Sequence, residues 1–209
     1  MRSYFVTTTP MRPLLIATTN PAKKKEVELV LGGLGIVFRS LADFPGIVPP
    51  EETGSSFLEN AVLKARYYFE AIGIPVLADD GGLMVDALGG LPGVHSHRWL
   101  GHEASDLELA QEIVKRVNAI PNASRTARLG GYVACFDGTN LITSSNFTEG
   151  SITSELPSDV EEGFPYRSVL IITKFNKIYH NLTHEEHAAV NHRRKNLEAI
   201  KSQIMQLLA

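Results

Sequence analysis

Apolar and polar positions fall into short blocks along this chain, and each block has the length and period of one element. Leu14-Leu15-Ile16-Ala17-Thr18 is an apolar run of strand length. Asn20-Pro21 follows it, an N-cap with proline at the first helical position. The helix this predicts carries Val27, Leu29, Val30 and Leu31 and stops at Gly32-Gly33. Ile36-Val37-Phe38 predicts a short second strand. Ser56-Phe57-Leu58-Glu59 has capping-box spacing and opens a helix to about Ile72, ended by Gly73. Pro75-Val76-Leu77-Ala78 predicts a third strand, and Ser105-Asp106-Leu107-Glu108 opens a helix to about Val117. Segments from Thr126 to Phe136 and Asn140 to Thr148, either side of Asp137-Gly138, predict a hairpin. Val169-Leu170-Ile171-Ile172 predicts another strand. The last helix starts near Asn191 and carries Leu197, Ile200, Ile204, Leu207 and Leu208 on one face.

This order, β-α-β-α-β, then a hairpin, then β-α, predicts an α/β fold with a mixed sheet. At 209 residues the chain suits one domain, and residues 1–10 read as an N-terminal extension before Met11. A net charge of −3 gives no basic field for nucleic acid. No apolar run approaches a membrane span, and the first ten residues lack the apolar core of a signal peptide, so the expected location is the cytoplasm. Cys135 has no second cysteine to pair with and sits among strand residues.

Four constellations carry chemistry. In Ala17-Thr18-Thr19-Asn20-Pro21-Ala22-Lys23 a strand runs into a helix start, where free backbone N–H groups and the helix dipole favour an anion. The plainer reading is a capped helix with a solvated lysine run. Glu51-Glu52-Thr53-Gly54 precedes a helix on which Asn60 and Lys64 share a face; those acids either favour the helix dipole or hold a metal. Asp79-Asp80 ends an apolar run and leads into Gly81-Gly82, expected here as a turn. Neighbours on an extended segment point opposite ways, so one acid faces the site while the other braces the loop or reaches a metal through water. His184-Glu185-Glu186-His187 lacks the H-E-x-x-H spacing of a zinc site. His192-Arg193-Arg194 at a helix start reads as an anion contact.

Together these segments resemble the inosine triphosphate pyrophosphatase family. The resemblance is carried by Ala17 to Lys23, Glu52 to Ala65, Ala78 to Val94, Ser96-His97-Arg98, Gly163-Phe164-Pro165-Tyr166 and Asn191-His192-Arg193, in that order. It implies one domain over residues 11–209, built on an elongated mixed sheet with two lobes around a cleft, and a homodimer. It implies Mg²⁺-dependent cleavage of a nucleoside triphosphate to monophosphate and pyrophosphate. By position it implies that Thr18, Thr19, Asn20 and Lys23 cradle the phosphates, with Asn60, Lys64 and Gly81 at the substrate. Glu52 and Asp80 would hold the metal, and Asp80 would also orient the attacking water. Phe164 and Tyr166 would wall the base pocket, and His192 and Arg193 would contact base or phosphate.

The chain departs from the family's usual pattern at the base-reading end. Arg167 stands where an aspartate is expected, Gly81 where a serine is, His187 where a lysine is, and Asn191 where a serine is. Metal and phosphate parts are kept while base-reading parts are altered. The expectation is pyrophosphohydrolysis with a shifted base preference; the alternative is a nucleotide-binding protein of the same fold with weak or no turnover.

Overall fold

The computed structural model describes residues 12–96 and 98–209; the proposed N-terminal extension lies outside them. One seven-stranded sheet runs through the chain: β1 (Leu14–Ile16), β2 (Phe38–Ser40), β3 (Val76–Val85), β4 (Thr126–Phe136), β5 (Leu141–Ile152), β6 (Leu170–Ile172) and β7 (Lys177–Ile178). The order is β2-β1-β3-β4-β5-β6-β7, parallel from β2 to β3 and antiparallel beyond, so the expected α/β fold with a mixed sheet is present. Among the described residues five α-helices flank it: α1 (Pro21–Leu31), α2 (Phe57–Ile72), α3 (Asp106–Asn118), α4 (His184–Val190) and α5 (His192–Leu208). No described helix is long and apolar enough to cross a membrane.

Strand alternation assigns the helices to faces. Leu14, Ile16, Leu77, Val133 and Cys135 form one cluster with Val27 and Leu31 of α1 and Leu197, Ile200 and Ile204 of α5. Leu15, Val76, Ala78, Ala134 and Phe136 point the other way, onto Ala61, Ala65 and Tyr68 of α2. A third cluster at the far end packs α3 against the last part of β3, the first part of β4, and β6. Leu14 to Ile16 of β1 and Val76 to Ala78 of β3 therefore have helices on both sides, which positions the acids that follow Ala78.

The largest difference from expectation is β3. Asp79-Asp80-Gly81-Gly82 is not a turn but the middle of a ten-residue strand. Gly81 and Gly82 pair with Gly131 and Gly130 of β4, and a Cβ on Gly131 would stand 2.1 Å from the Asp80 carbonyl oxygen. Glycine is needed there for close backbone approach, not for a turn conformation. β2 begins two residues later than its apolar run suggested. α4 and β7 were not anticipated, although Thr183 and Glu186 complete a reciprocal capping box at the start of α4.

Candidate active site

The two acids of β3 diverge as the strand period requires. Asp79 faces the α1/α5 side: its Oδ2 accepts from Lys23 Nζ at 3.1 Å and from Arg193 Nη2 at 2.8 Å. Asp80 faces α2: its Oδ1 accepts from Lys64 Nζ at 2.9 Å and its Oδ2 from Asn60 Nδ2 at 3.4 Å. Lys64 and Asn60 reach it together because they are four residues apart on one helix face.

Lys64 Nζ also donates to Glu52 Oε1 at 2.8 Å, so one ammonium serves two carboxylates. Burial pushes the Asp80 carboxyl above its ordinary value; Lys64 opposes that without overcoming it, and the Glu52 charge adds to the rise. Burial alone would raise Glu52 as well, but Lys64, Arg98 and Lys23 together leave it lowered. Burial disfavours the Lys64 ammonium, yet Asp80, Asp79 and Glu52 outweigh it and leave that pKa raised. The loop bearing Glu52 is pinned twice. Asn60 Oδ1 accepts from the Gly54 N–H at 2.8 Å, and Arg98 Nη2 donates to the Glu52 carbonyl at 2.7 Å.

Thr18, Thr19, Asn20 and Lys23 line a cleft of about 250 Å³ together with Glu52, Lys64 and Asp79. The backbone part of the expected cradle is corrected. Asn20 Oδ1 accepts from the N–H groups of Ala22 and Lys23, Pro21 has none, and the Lys24 N–H bonds the Asn20 carbonyl. The first turn of α1 is thus already satisfied, and an anion in this cleft meets side chains. Asn20 Nδ2 donates to the Gly163 carbonyl at 2.9 Å, tying this segment to the late loop instead of pointing at a ligand. Burial lowers the pKa of Lys23 despite Asp79 beside it.

Lys23 also lines a second, smaller cavity with Gly81, Phe164, Tyr166, Arg167, His192 and Arg193. It holds about 50 Å³. The Tyr166 hydroxyl donates to the Ser96 carbonyl and fixes one wall. His192 is held neutral: burial, with Arg193 and Arg167 near it, pushes its pKa down to about 3. Its Nδ1 has no partner among the described residues.

One expected substrate contact is corrected and another is qualified. His187 packs against the Tyr179 ring at 5.2 Å between centroids and lines neither cavity, because α4 turns it toward the 179–181 turn. Arg167, 2% exposed, does not present its whole guanidinium to a ligand. Its Nη1 donates to Glu161 at 3.1 Å and its Nη2 to Glu26 at 2.5 Å, while its Nε is unpartnered.

Glu26 was not anticipated from the sequence. It accepts from Arg167, from Asn191 Nδ2 at 2.7 Å and from Arg193 Nη1, joining three segments at one carboxylate. Burial opposes its ionisation, but Arg193 and Arg167 outweigh that and hold its pKa at about 2. The available signal was its place one helical turn after Lys23, which puts both on one face of α1.

Among the described residues no three acids, histidines or cysteines gather as a metal-ligand set. Glu52 and Asp80 are two carboxylates meeting at one cation, Lys64 Nζ. That donor set fits Mg²⁺, which binds one or two carboxylates and completes its shell with water and phosphate oxygen. It does not fit zinc, which asks three or four protein ligands. The incompletely neutralised Asp80 also favours an added cation.

The Ham1 family, as a sequence profile, matches residues 14–203. A dITP/XTP pyrophosphatase of Halalkalibacterium halodurans is 38% identical over 184 residues, covering 88% of this chain and 94% of that protein. One from Shigella flexneri is 34% identical over 194 residues, covering 91% and 96%. The solved structure of a HAM1 protein from Coxiella burnetii matches with a TM-score of 0.82 at 30% identity, over 94% of this chain and 100% of that one.

Proposed function

The chain belongs to the Ham1 family, and from that premise we propose that it is a nucleoside triphosphate pyrophosphatase acting on inosine- or xanthosine-type nucleotides. The reaction is water plus nucleoside triphosphate giving nucleoside monophosphate and pyrophosphate. The single observation that carries the reading is Lys64 held between Glu52 and Asp80, in reach of the cleft that Lys23, Thr18 and Thr19 line.

The residues divide the work. Lys23 and Lys64 offset triphosphate charge, and the Thr18 and Thr19 hydroxyls donate to phosphate oxygens. Hydrolysis of a phosphoanhydride depends chiefly on positioning and charge neutralisation. Asp80, held by Asn60 and Lys64, accepts a hydrogen bond from the attacking water and aligns it on the α-phosphorus. The α-phosphorus–oxygen bond to the β-phosphate breaks, and that oxygen leaves with pyrophosphate. Glu52 and Asp80 would hold Mg²⁺, which when bound supplies further neutralisation at the phosphates. The base lies toward Phe164, Tyr166 and His192, past Lys23, the one side chain that lines both cavities. A homodimer and a cytoplasmic setting complete the reading.

The test is a nucleotide panel with Mg²⁺, dITP and XTP against the standard triphosphates, with products identified. Monophosphate and pyrophosphate are expected, and Asp80→Asn lowers kcat roughly 10²- to 10⁴-fold. Diphosphate plus phosphate as products, or binding without release that Asp80→Asn leaves unchanged, sinks it.

A further inference from the structure

We propose that Arg167 is the specificity-determining residue at the base end and selects a ring with an acceptor-rich or anionic edge, xanthine over hypoxanthine. The inference rests on the pyrophosphatase reading above and narrows its substrate.

The first support is the lining of the smaller cavity. Three cations contribute to it, Lys23, Arg167 and Arg193, and no carboxylate does. The acids that neutralise them, Asp79, Glu26 and Glu161, bind them without entering the lining. A ligand edge in this cavity therefore meets hydrogen-bond donors and finds no anionic acceptor.

The second is an unspent donor. A guanidinium has five N–H groups. Glu26 and Glu161 occupy the two terminal nitrogens of Arg167, and its Nε–H has no partner among the described residues. The side chain is 2% exposed, so water does not compensate it from bulk. A buried, unpaired donor on a charged group is costly, and it is the N–H left for an acceptor once a ligand opens the packing around it. His192 Nδ1, in the same lining, is likewise unpartnered.

The third is Phe164. The Arg167 guanidinium carbon lies 3.5 Å from the Phe164 ring centroid, and that of Arg193 at 5.8 Å. The ring is drawn toward two cations. It is a platform for stacking a base and says nothing about the base edge, so edge recognition falls to Arg167 and its neighbours.

The chemistry of the two bases then decides. Xanthine carries two carbonyl oxygens and loses a ring proton near neutral pH, giving an anion. Hypoxanthine carries one carbonyl and keeps its ring N–H as a donor. This pocket sets cationic donors against the first and offers the N–H of the second only neutral acceptors.

The experiment measures kcat/KM for XTP and ITP by pyrophosphate release at mildly alkaline pH, where the xanthine ring alone is ionised. It also measures binding of the two monophosphates by calorimetry. The full chain is expected to favour XTP, and to bind its monophosphate more tightly, by roughly tenfold or more. Arg167→Met brings the ratio near parity, and Arg167→Lys, which keeps the charge without the Nε–H, keeps only part of it. Parity in the unaltered chain, or a folded Arg167→Met that keeps the ratio, overturns the proposal. If Arg167→Met does not fold, Glu161→Gln carries the test. It removes one neutralising partner of Arg167, so the ratio rises, and a fall overturns the proposal. Absence of pyrophosphate from both nucleotides with selective xanthosine monophosphate binding would strike the pyrophosphatase reading and leave the pocket assignment standing.

Discussion

Arg193, at the start of the last helix, donates from Nη2 to Asp79 Oδ2 at 2.8 Å across 114 residues of sequence. The same guanidinium donates from Nη1 to Glu26, and the same carboxylate accepts from Lys23. Two largely buried acids, the largely buried Lys23 and the buried Arg193 thus bind α1, β3 and α5 into one frame behind the cleft. Burial disfavours ionised Asp79, but Arg193 and Lys23 hold its carboxyl far below the ordinary carboxylate value.

Removing Asp79 should therefore cost more than one hydrogen bond. Asp79→Ala leaves Arg193 with one acid and Lys23 with none, and an uncompensated buried charge costs about 3–5 kcal/mol. Urea unfolding measures this. The comparison is Lys24→Ala, which breaks the exposed Lys24–Glu28 pair and should change stability by under about 0.5 kcal/mol. Equal effects from the two variants would show that the buried frame adds nothing.

Glu26 sets an acid limit on stability. Its carboxyl is at about 2 in the folded chain against an ordinary 4.5. A lowered folded pKa contributes stability that is fully present above the ordinary value. That contribution is lost as pH falls from about 4.5 toward 2. The contribution at neutral pH is on the order of 3 kcal/mol. Glu26→Gln should be less stable by about that amount at pH 7, and the two unfolding curves should converge as pH approaches 2. Parallel curves across that range would place the acid sensitivity elsewhere.

The sequence made local structure legible wherever a short-range signal closed it. Asn20-Pro21, Ser56 with Glu59 and Ser105 with Glu108 mark helix starts that the structure keeps. The opposed directions of Asp79 and Asp80 followed from strand period alone. What was not legible depends on distant partners. Asp-Asp-Gly-Gly has the composition of a turn, and only the facing Gly130-Gly131 of β4 makes it a strand. The bonds of Arg167 to Glu26 and Glu161, and of Asn20 to Gly163, join segments that no local pattern links. Glu26 itself sat inside a lysine-rich run that reads as a solvated face.

Gly131 tests the pairing that carries the acids. A side chain there would press on the Asp80 carbonyl at 2.1 Å and on Gly81 Cα at 2.4 Å, both backbone atoms unable to swing away. Gly131→Ala should displace β4 from β3 at the level of Asp80. Stability should fall by about 1–3 kcal/mol, the usual cost of overpacking. Turnover should fall further than that loss explains, because Asp80 moves relative to Lys64. The control is Gly33→Ala, where a Cβ meets nothing within 4 Å and only the positive φ of 76° is strained. It should lose stability with turnover unchanged. Melting curves and initial rates on the same samples separate the two.

Lys64 tests whether Glu52 and Asp80 form a cation site, with a readout independent of turnover. In the structure the ammonium already occupies the point where the two carboxylates meet, at 2.8 Å and 2.9 Å. Mg²⁺ arriving without nucleotide must compete with it, so Mg²⁺ alone should raise the melting temperature little. Lys64→Met removes the competitor and leaves two acids facing each other without a counter-charge. That variant should lose about 3 kcal/mol in metal-free buffer, as expected for one partner removed from a buried pair. Millimolar Mg²⁺ should then restore much of the loss, because a ligand that binds only the folded state stabilises it by mass action. Lys64→Arg keeps the charge and should behave like the unaltered chain. Turnover in Lys64→Met should stay at least about a hundredfold down even with Mg²⁺, since the phosphate-facing cation is gone. Should Mg²⁺ leave the melting temperature of Lys64→Met unmoved, the two carboxylates are neighbours of a structural lysine, and the metal is held elsewhere or carried in by the nucleotide.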